Sequence, residues 1–316
     1  MGDTDQNTAV APAAGAAAAA TGHAAFRMRL VEILKSQEDI LPPAQSSLGR
    51  LYQLFQSPES SVEDCVEIIK LDPAMTARIF RLANSVAYRG KATTISEAVL
   101  HLGFAQVRQI AFSAGFFKKF SELKLPPGME QFWLRNIFVA RLTERICAQF
   151  QLFGGMEYLA GLLHDTGWLL LAAHFPAELE LIAASDKPSP ASEKEILSFS
   201  HAEIAAAICA TSLLPPRVTN AVVNHHAPLA LLVGGIPPSH NSDVFLGVVL
   251  NVCDKIGDAC KLEIPWQKSG LDLEGVKESA EAKWLTQFGK VIKYEAMIED
   301  ELPKAQEICR ALTGGK

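Results

Sequence analysis

Four of the chain's eight histidines and two of its aspartates fall at helix ends or on apolar helix faces in its second half: His164, Asp165, His201, His225, His226 and Asp254. The first pair stands side by side in the run GLLHDTGWLLLAAHF, Gly161 to Phe175. Burying an imidazole or a carboxylate costs on the order of several kcal/mol unless it is paired or metal-bound, so six in one segment call for a common explanation. A metal cage supplies one. Neutral imidazole suits Zn, Mn, Fe and Ni, and a carboxylate can bridge two cations about 3.5–4 Å apart, a geometry that polarises phosphoryl groups and activates water. Spacing alone does not select this reading, because ligands from separate helices leave no short local pattern. Taken singly, each histidine is better explained as a hydrogen-bonded, half-buried side chain, and His225 with His226 closes a helix, where the dipole favours positive charge. His101 and His174 have only that reading, and His23 and His240 are expected in solvent.

The elements that must position these groups are helical. From Arg27 onward apolar residues recur at spacings of three and four, and capping signals separate the runs, which predicts an all-α protein. Ser60 with Glu63, Thr94 with Glu97 and Ser192 with Glu195 read as capping boxes, and Asp72 with Pro73 opens a further helix. Gly103 reads as the left-handed residue that ends EAVLHL before AQVRQIAFSAGFFKKF begins. The segment KLPPG, Lys124 to Gly128, interrupts the periodicity and marks a boundary. The expected organisation is a disordered Ala-rich tail over 1–25, an N-terminal helical subdomain over 26–126, a second helical subdomain with all six candidate ligands over 127–262, and C-terminal helices over 263–316 that complete the bundle or form an interface. Within the last part, Leu271 to Leu312 reads as two amphipathic helices.

Composition excludes several classes of function. With 316 residues and 49% hydrophobic content the chain can bury a core without covalent staples. Its net charge of −6 and the absence of a Lys/Arg cluster argue against nucleic-acid binding. The six cysteines are scattered with no CxxC pair, which reads as reduced thiols rather than a zinc ribbon or a disulfide framework. Asp3 and Asp5 flank the alanine-rich start where an export signal would carry Lys or Arg, and no apolar run reaches the roughly 18–20 residues of a membrane span. A cytoplasmic protein is expected.

The motifs also carry a resemblance. GLLHDTG resembles the signature dyad of the HD superfamily of metal-dependent phosphohydrolases, and the series His164-Asp165, His201, His225-His226, Asp254 resembles the ligand order of its HD-GYP branch. That branch begins with one more histidine on the helix before the dyad; alignment of LRNIFVARL places Asn136, a weak ligand, at that position. Upstream, LDPAMTARIFRLANSVAYRG, ISEAVLHLGFAQVRQIAF and FWLRN carry Asp72-Pro73, Asn84-Ser85, Leu102-Gly103 and Trp133 in the order of the HDOD family, the HD-related output domain. The similarity runs from Ile40 to Leu231.

This resemblance implies a two-part helical HDOD architecture with an HD-like bundle, in a bacterial signalling or regulatory protein of a family for which hydrolysis has generally not been established. Where catalytic relatives have a lysine after the dyad, this chain has Trp168, and the GYP segment after the paired histidines is replaced by APLALLVGGIPP. The implied role is therefore a non-catalytic binding module that acts through other signalling proteins, such as cyclic-di-GMP-related or receiver-domain proteins, or as a homodimer. Any divalent ion, Fe, Mn, Ni or Zn, would be structural or vestigial. The alternative is a divergent metal-dependent phosphohydrolase acting on cyclic dinucleotides or nucleotide phosphates. Asp72 and Gly103 are expected as helix caps, Asn84 and Ser85 as backbone-bonding groups at a helix end, and Trp133 as an anchor between the two helical groups.

Overall fold

The computed structural model describes residues 12–36, 47–57, 60–152, 156–185, 189–211, 214–232, 243–266 and 269–314, and among them the regular elements are helices, with no strand. The N-terminal part comprises α1 (Pro12–Ser36), α2 (Ser47–Gln56), α3 (Val62–Lys70), α4 (Pro73–Ala83) and α5 (Ile95–Ser121). Residues 12–25, expected in a disordered tail, form the first half of α1. Alanine has the highest intrinsic helix propensity, and the helix continues into a segment that docks: Phe26 meets Phe175 edge-on and Arg29 lies 4.8 Å from the centre of the Phe175 ring.

Local capping sets the boundaries. Thr94 and Glu97 form the expected box, and Asp72 accepts from the Met75 amide with Pro73 at the first helical position. Two other caps differ from expectation by a few residues. The α3 box pairs Ser61 with Asp64 because the neighbouring Ser60 hydroxyl donates to the Ser57 carbonyl instead. The next helix after residue 188 is capped by Ser189 with Ser192, since Pro190, having no N–H to lose, takes the first helical position. At Gly103 the backbone reaches φ +77°, a conformation open to glycine, and α5 kinks there.

The second part is built on α6 (Glu130–Gln149), joined by α7 (Glu157–Leu163), α8 (Thr166–His174), α9 (Pro176–Ala183), α10 (Pro190–Leu197), α11 (His201–Thr211), α12 (Pro216–Asn224) and α13 (Asp243–Ala259). Helix α6 lies between α7, α13 and α5. Trp133, buried on α6, packs against Phe116 and Phe117 of α5 at centroid distances of 5.2 Å and so joins the two parts. Two glycines permit very close helix contacts. A Cβ on Gly161 would stand 2.4 Å from the Ala140 Cα, and one on Gly167 would stand 2.0 Å from the His201 carbonyl oxygen.

The C-terminal segment forms three helices rather than the two expected: α14 (Leu273–Glu278), α15 (Ala280–Thr286) and α16 (Tyr294–Thr313). Ser279 is extended and caps Ala282, which divides the first amphipathic run. Helix α16 packs along α6 and also touches α4 and α5. A buried polar network ties these parts: Arg141 of α6 donates from Nε to Glu301 of α16 at 2.7 Å and from Nη1 to Gln106 of α5 at 2.9 Å. Tyr88, in the turn before α5, donates to the same Gln106 oxygen. Among the described residues no helix is long and apolar enough to cross a membrane.

Candidate metal centre

The six candidate ligands come from four places in the fold and meet in one. His164 and Asp165 occupy the break between α7 and α8, His201 opens α11, His225 and His226 follow α12, and Asp254 lies within α13. The Asp165 carboxylate is the hub. Its Oδ2 lies 3.2 Å from His164 Nε2, and its Oδ1 lies 3.5 Å from His201 Nε2 and 3.8 Å from His225 Nε2. Asp254 Oδ1 lies 3.1 Å from His164 Nε2. The Nε2 atoms of His201 and His226 face each other at 2.8 Å.

Three of these rings are aimed by a bond at their other nitrogen, which fixes the tautomer and turns Nε2 inward. His164 Nδ1 donates to the Gly161 carbonyl at 2.8 Å, and His225 Nδ1 to the Val222 carbonyl at 2.6 Å. His201 Nδ1 donates to Glu193, whose Oε2 also accepts the His201 backbone N–H at 2.6 Å. Glu193 is itself buried. Asn251 of α13 donates to the His225 carbonyl and holds the end of α12 in place.

Charge is distributed unevenly. Burial disfavours the His164 imidazolium, but the Asp165 and Asp254 carboxylates outweigh it and raise its pKa to about 10. Burial and the neighbouring His164 charge push His225 down to about 4, and burial with His225 and His201 nearby lowers His226 well below the ordinary imidazole value. Asp254 is depressed against the cost of its burial, chiefly by Arg135.

Arg135 is the group that the sequence reading missed. Helix α6 sends this side chain into the centre, with Nη2 2.6 Å from Asp254 Oδ1, Nη1 2.8 Å from Asp258 Oδ1 and Nε 3.8 Å from Asp165 Oδ2. Asn136, aligned to the missing histidine, is fully buried, and neither end of its amide has a hydrogen-bond partner. One position earlier on α6, Arg135 makes direct ion pairs with the ligand Asp254 and with Asp258. A signal was available: Asp254 and Asp258 are four apart on an apolar helix, which puts two acids on one buried face and requires a cation opposite. Glu193 left no comparable trace.

Trp168 lies flat on His201, ring centroids 4.5 Å apart and planes at 19°, and Trp266 stacks behind it at 5.9 Å. His164, Asp165, His201, His225 and Asp254 are all buried, and His226 is half-buried.

The donor set fits a divalent ion. His225 Nε2 is buried without a hydrogen-bond partner, and the apposed His201 and His226 nitrogens would otherwise have to share one proton. The donor atoms of His201, His225 and His226 lie within 4.8 Å of one another, as do those of His164, Asp165 and His225. Imidazole nitrogens with one carboxylate suit Zn, Fe, Mn or Ni. An ion held by these residues would supply charge that ties α8, α11 and α12 together.

The remaining signature residues sit away from this centre. Asn84 ends α4 and donates to the Phe80 and Ala92 carbonyls at 3.1 Å. The adjacent Ser85 hydroxyl is buried without a partner, while the Ser85 carbonyl accepts the amides of Tyr88 and Arg89. His101 Nε2 contacts the Tyr88 carbonyl and His23 Nε2 the Glu195 carbonyl. His240 lies outside the described residues.

A family profile described as HDOD domain matches residues 41–228. Among solved structures, the chain is similar to an HDOD domain protein of unknown function from Geobacter sulfurreducens, at TM-score 0.69 and 19% identity, over 93% of this chain and 99% of that one. It is also similar to a protein from Shewanella amazonensis provisionally described as a phosphohydrolase, at TM-score 0.64 and 20% identity over 88% and 97% of the two chains. A third, from Marinobacter aquaeolei and provisionally described as a signal transduction protein, matches at TM-score 0.63 and 21% identity over 92% and 66%. No curated protein matches the chain.

Proposed function

Since the chain belongs to the HDOD family, we propose that it is a bacterial, cytoplasmic signalling module that holds one divalent ion for structure and acts through protein partners, without hydrolysing a phosphoester. Signalling proteins of the receiver or cyclic-di-GMP-related kind are the partners this reading favours.

The observation that carries the reading is the indole of Trp168 stacked on His201. Phosphodiester cleavage needs an activated water and cationic stabilisation of the charge that develops on the phosphoryl oxygens. The resemblance puts Trp168 where a phosphate-binding lysine would act, and its buried indole is stacked on His201. The one buried cationic side chain described beside the ligands, Arg135, is already paired with Asp254 and Asp258.

The test is an assay of the purified protein loaded with Mn, Fe, Ni or Zn against bis(p-nitrophenyl) phosphate and cyclic dinucleotides. The expected rate equals that of the metal-free protein. Hydrolysis that disappears in His164→Ala would overturn the reading in favour of a divergent phosphohydrolase.

A further inference from the structure

The centre has two chemically different halves. On one side the Nε2 atoms of His201, His225 and His226 converge. On the other side oxygen predominates: Asp254 and Asp258 of α13 and Asp165 all face the Arg135 guanidinium, which also donates to two carbonyls, Leu262 at 2.8 Å and Asp254 at 3.1 Å. Carboxylates and carbonyls gathered around one buried positive charge are the shell that a hard divalent cation takes.

We propose that Arg135 is a resident cation: it fills the oxygen-lined half of the centre, confines the protein to a single divalent ion in the imidazole half, and on removal leaves a second site for an oxygen-preferring ion such as Ca²⁺, Mg²⁺ or Mn²⁺. This rests on the proposed function only for the existence of a cation centre, not for the absence of turnover.

Three observations support the assignment. The first is shape. A planar fork reaches Asp254 through Nη2 and Asp258 through Nη1 at once, which a lysine ammonium at a single point would not do. The second is room. Gly257, between the two aspartates, would place a Cβ 3.0 Å from Arg135 Nη1 and 3.2 Å from Cζ, so glycine keeps the space in which the guanidinium lies. The third is charge. With His164 neutral, as a metal ligand must be, three aspartates against one guanidinium leave two negative charges, the amount one divalent ion offsets, whereas a second ion beside Arg135 would leave buried positive charge uncompensated. Glu193 stands apart from this balance, behind His201 and against the first amide of α11.

The experiment counts ions by native mass spectrometry and follows melting temperature, using the full chain. The wild-type protein is expected to bind one Mn²⁺ and to show no melting shift with Ca²⁺, which imidazole does not favour. Arg135→Gln, purified in chelator, should melt roughly 10 °C lower because paired buried carboxylates lose their partner. It should recover most of that loss in millimolar Ca²⁺ and bind two Mn²⁺. Arg135→Lys, which retains a positive charge, should bind one Mn²⁺ and stay insensitive to Ca²⁺. Two Mn²⁺ on the wild type, or an Arg135→Gln protein that Ca²⁺ neither folds nor stabilises, would overturn the proposal. Phosphoester hydrolysis by the wild type would sink the signalling reading and leave these ion counts as they are.

Discussion

The indole of Trp168 and the imidazole of His201 are stacked at 4.5 Å, with planes 19° apart, so an optical probe sits directly on a candidate metal ligand. Binding of Ni²⁺ or Co²⁺ is expected to quench tryptophan emission. Trp168→Phe should lose most of the metal-dependent change, whereas Trp284→Phe, on α15 against Phe288 and Phe245, should retain it. Equal quenching in the two variants would place the ion elsewhere.

Glu193 acts on the ion through His201, as a positioning residue. Carboxylates that orient a ligating histidine typically contribute about 10–100-fold to metal affinity. Glu193→Gln should therefore weaken Zn²⁺ affinity in that range in a chelator competition. Glu193→Ala should weaken it further. Unchanged affinity in the alanine variant would show that the His201 ring is held by its stacking on Trp168 alone.

Removing the ion should cost stability by mass action. A ligand at 100 times its dissociation constant adds about 2.7 kcal/mol to the folded state, which for a chain of this size is roughly 5–10 °C of melting temperature. Dialysis against a strong chelator is expected to lower the transition by that amount, and Zn²⁺ or Mn²⁺ to restore it. The same treatment of a His201→Ala/His225→Ala variant should change nothing.

The buried Arg141–Glu301 pair predicts a large effect far from the metal. Breaking such a pair by removing one partner costs about 3–5 kcal/mol, since the other charge stays buried. Glu301→Ala should show this in urea unfolding. Arg141→Met combined with Glu301→Leu, which removes both charges, should recover much of it.

At the exposed end of the same network, Asp300 is held down to about 2, against an ordinary value of 3.8, by Lys304 and Arg145 despite some cost of burial. A depressed carboxylate contributes stability above its unfolded pKa and loses it as pH falls through the folded one. Asp300→Asn should be destabilising at pH 6, by no more than about 1 kcal/mol for so exposed a pair. The difference should shrink between pH 4 and pH 2, as read from urea midpoints. A constant difference across that range would rule out the ionic contribution.

Much of this was legible in the chain. The helix period, the Asp72 and Thr94 caps and the turn at Gly103 are local properties, and local properties are written in neighbouring residues. The convergence of the six ligands was legible only through likeness to a family, because His164, His201, His225 and Asp254 come from separate helices and share no spacing. Arg135 was missed because one arginine in an amphipathic helix is ordinarily solvated, and its burial depends on Asp254 and Asp258 more than a hundred residues away. Ser61 and Ser189 took the capping positions from their neighbours by competition among adjacent hydroxyls, which propensity does not resolve.

The contact between Gly167 and His201 has a practical consequence. Because α8 presses on the first turn of α11 through the space a methyl group would fill, alanine at position 167 would wedge the two helices apart and carry the His201 ring away from the Asp165 hub. Such a protein would keep every nitrogen and oxygen of the cluster in its sequence yet fail to gather them, which makes Gly167→Ala a donor-complete blank for separating what the residues are from where the fold puts them.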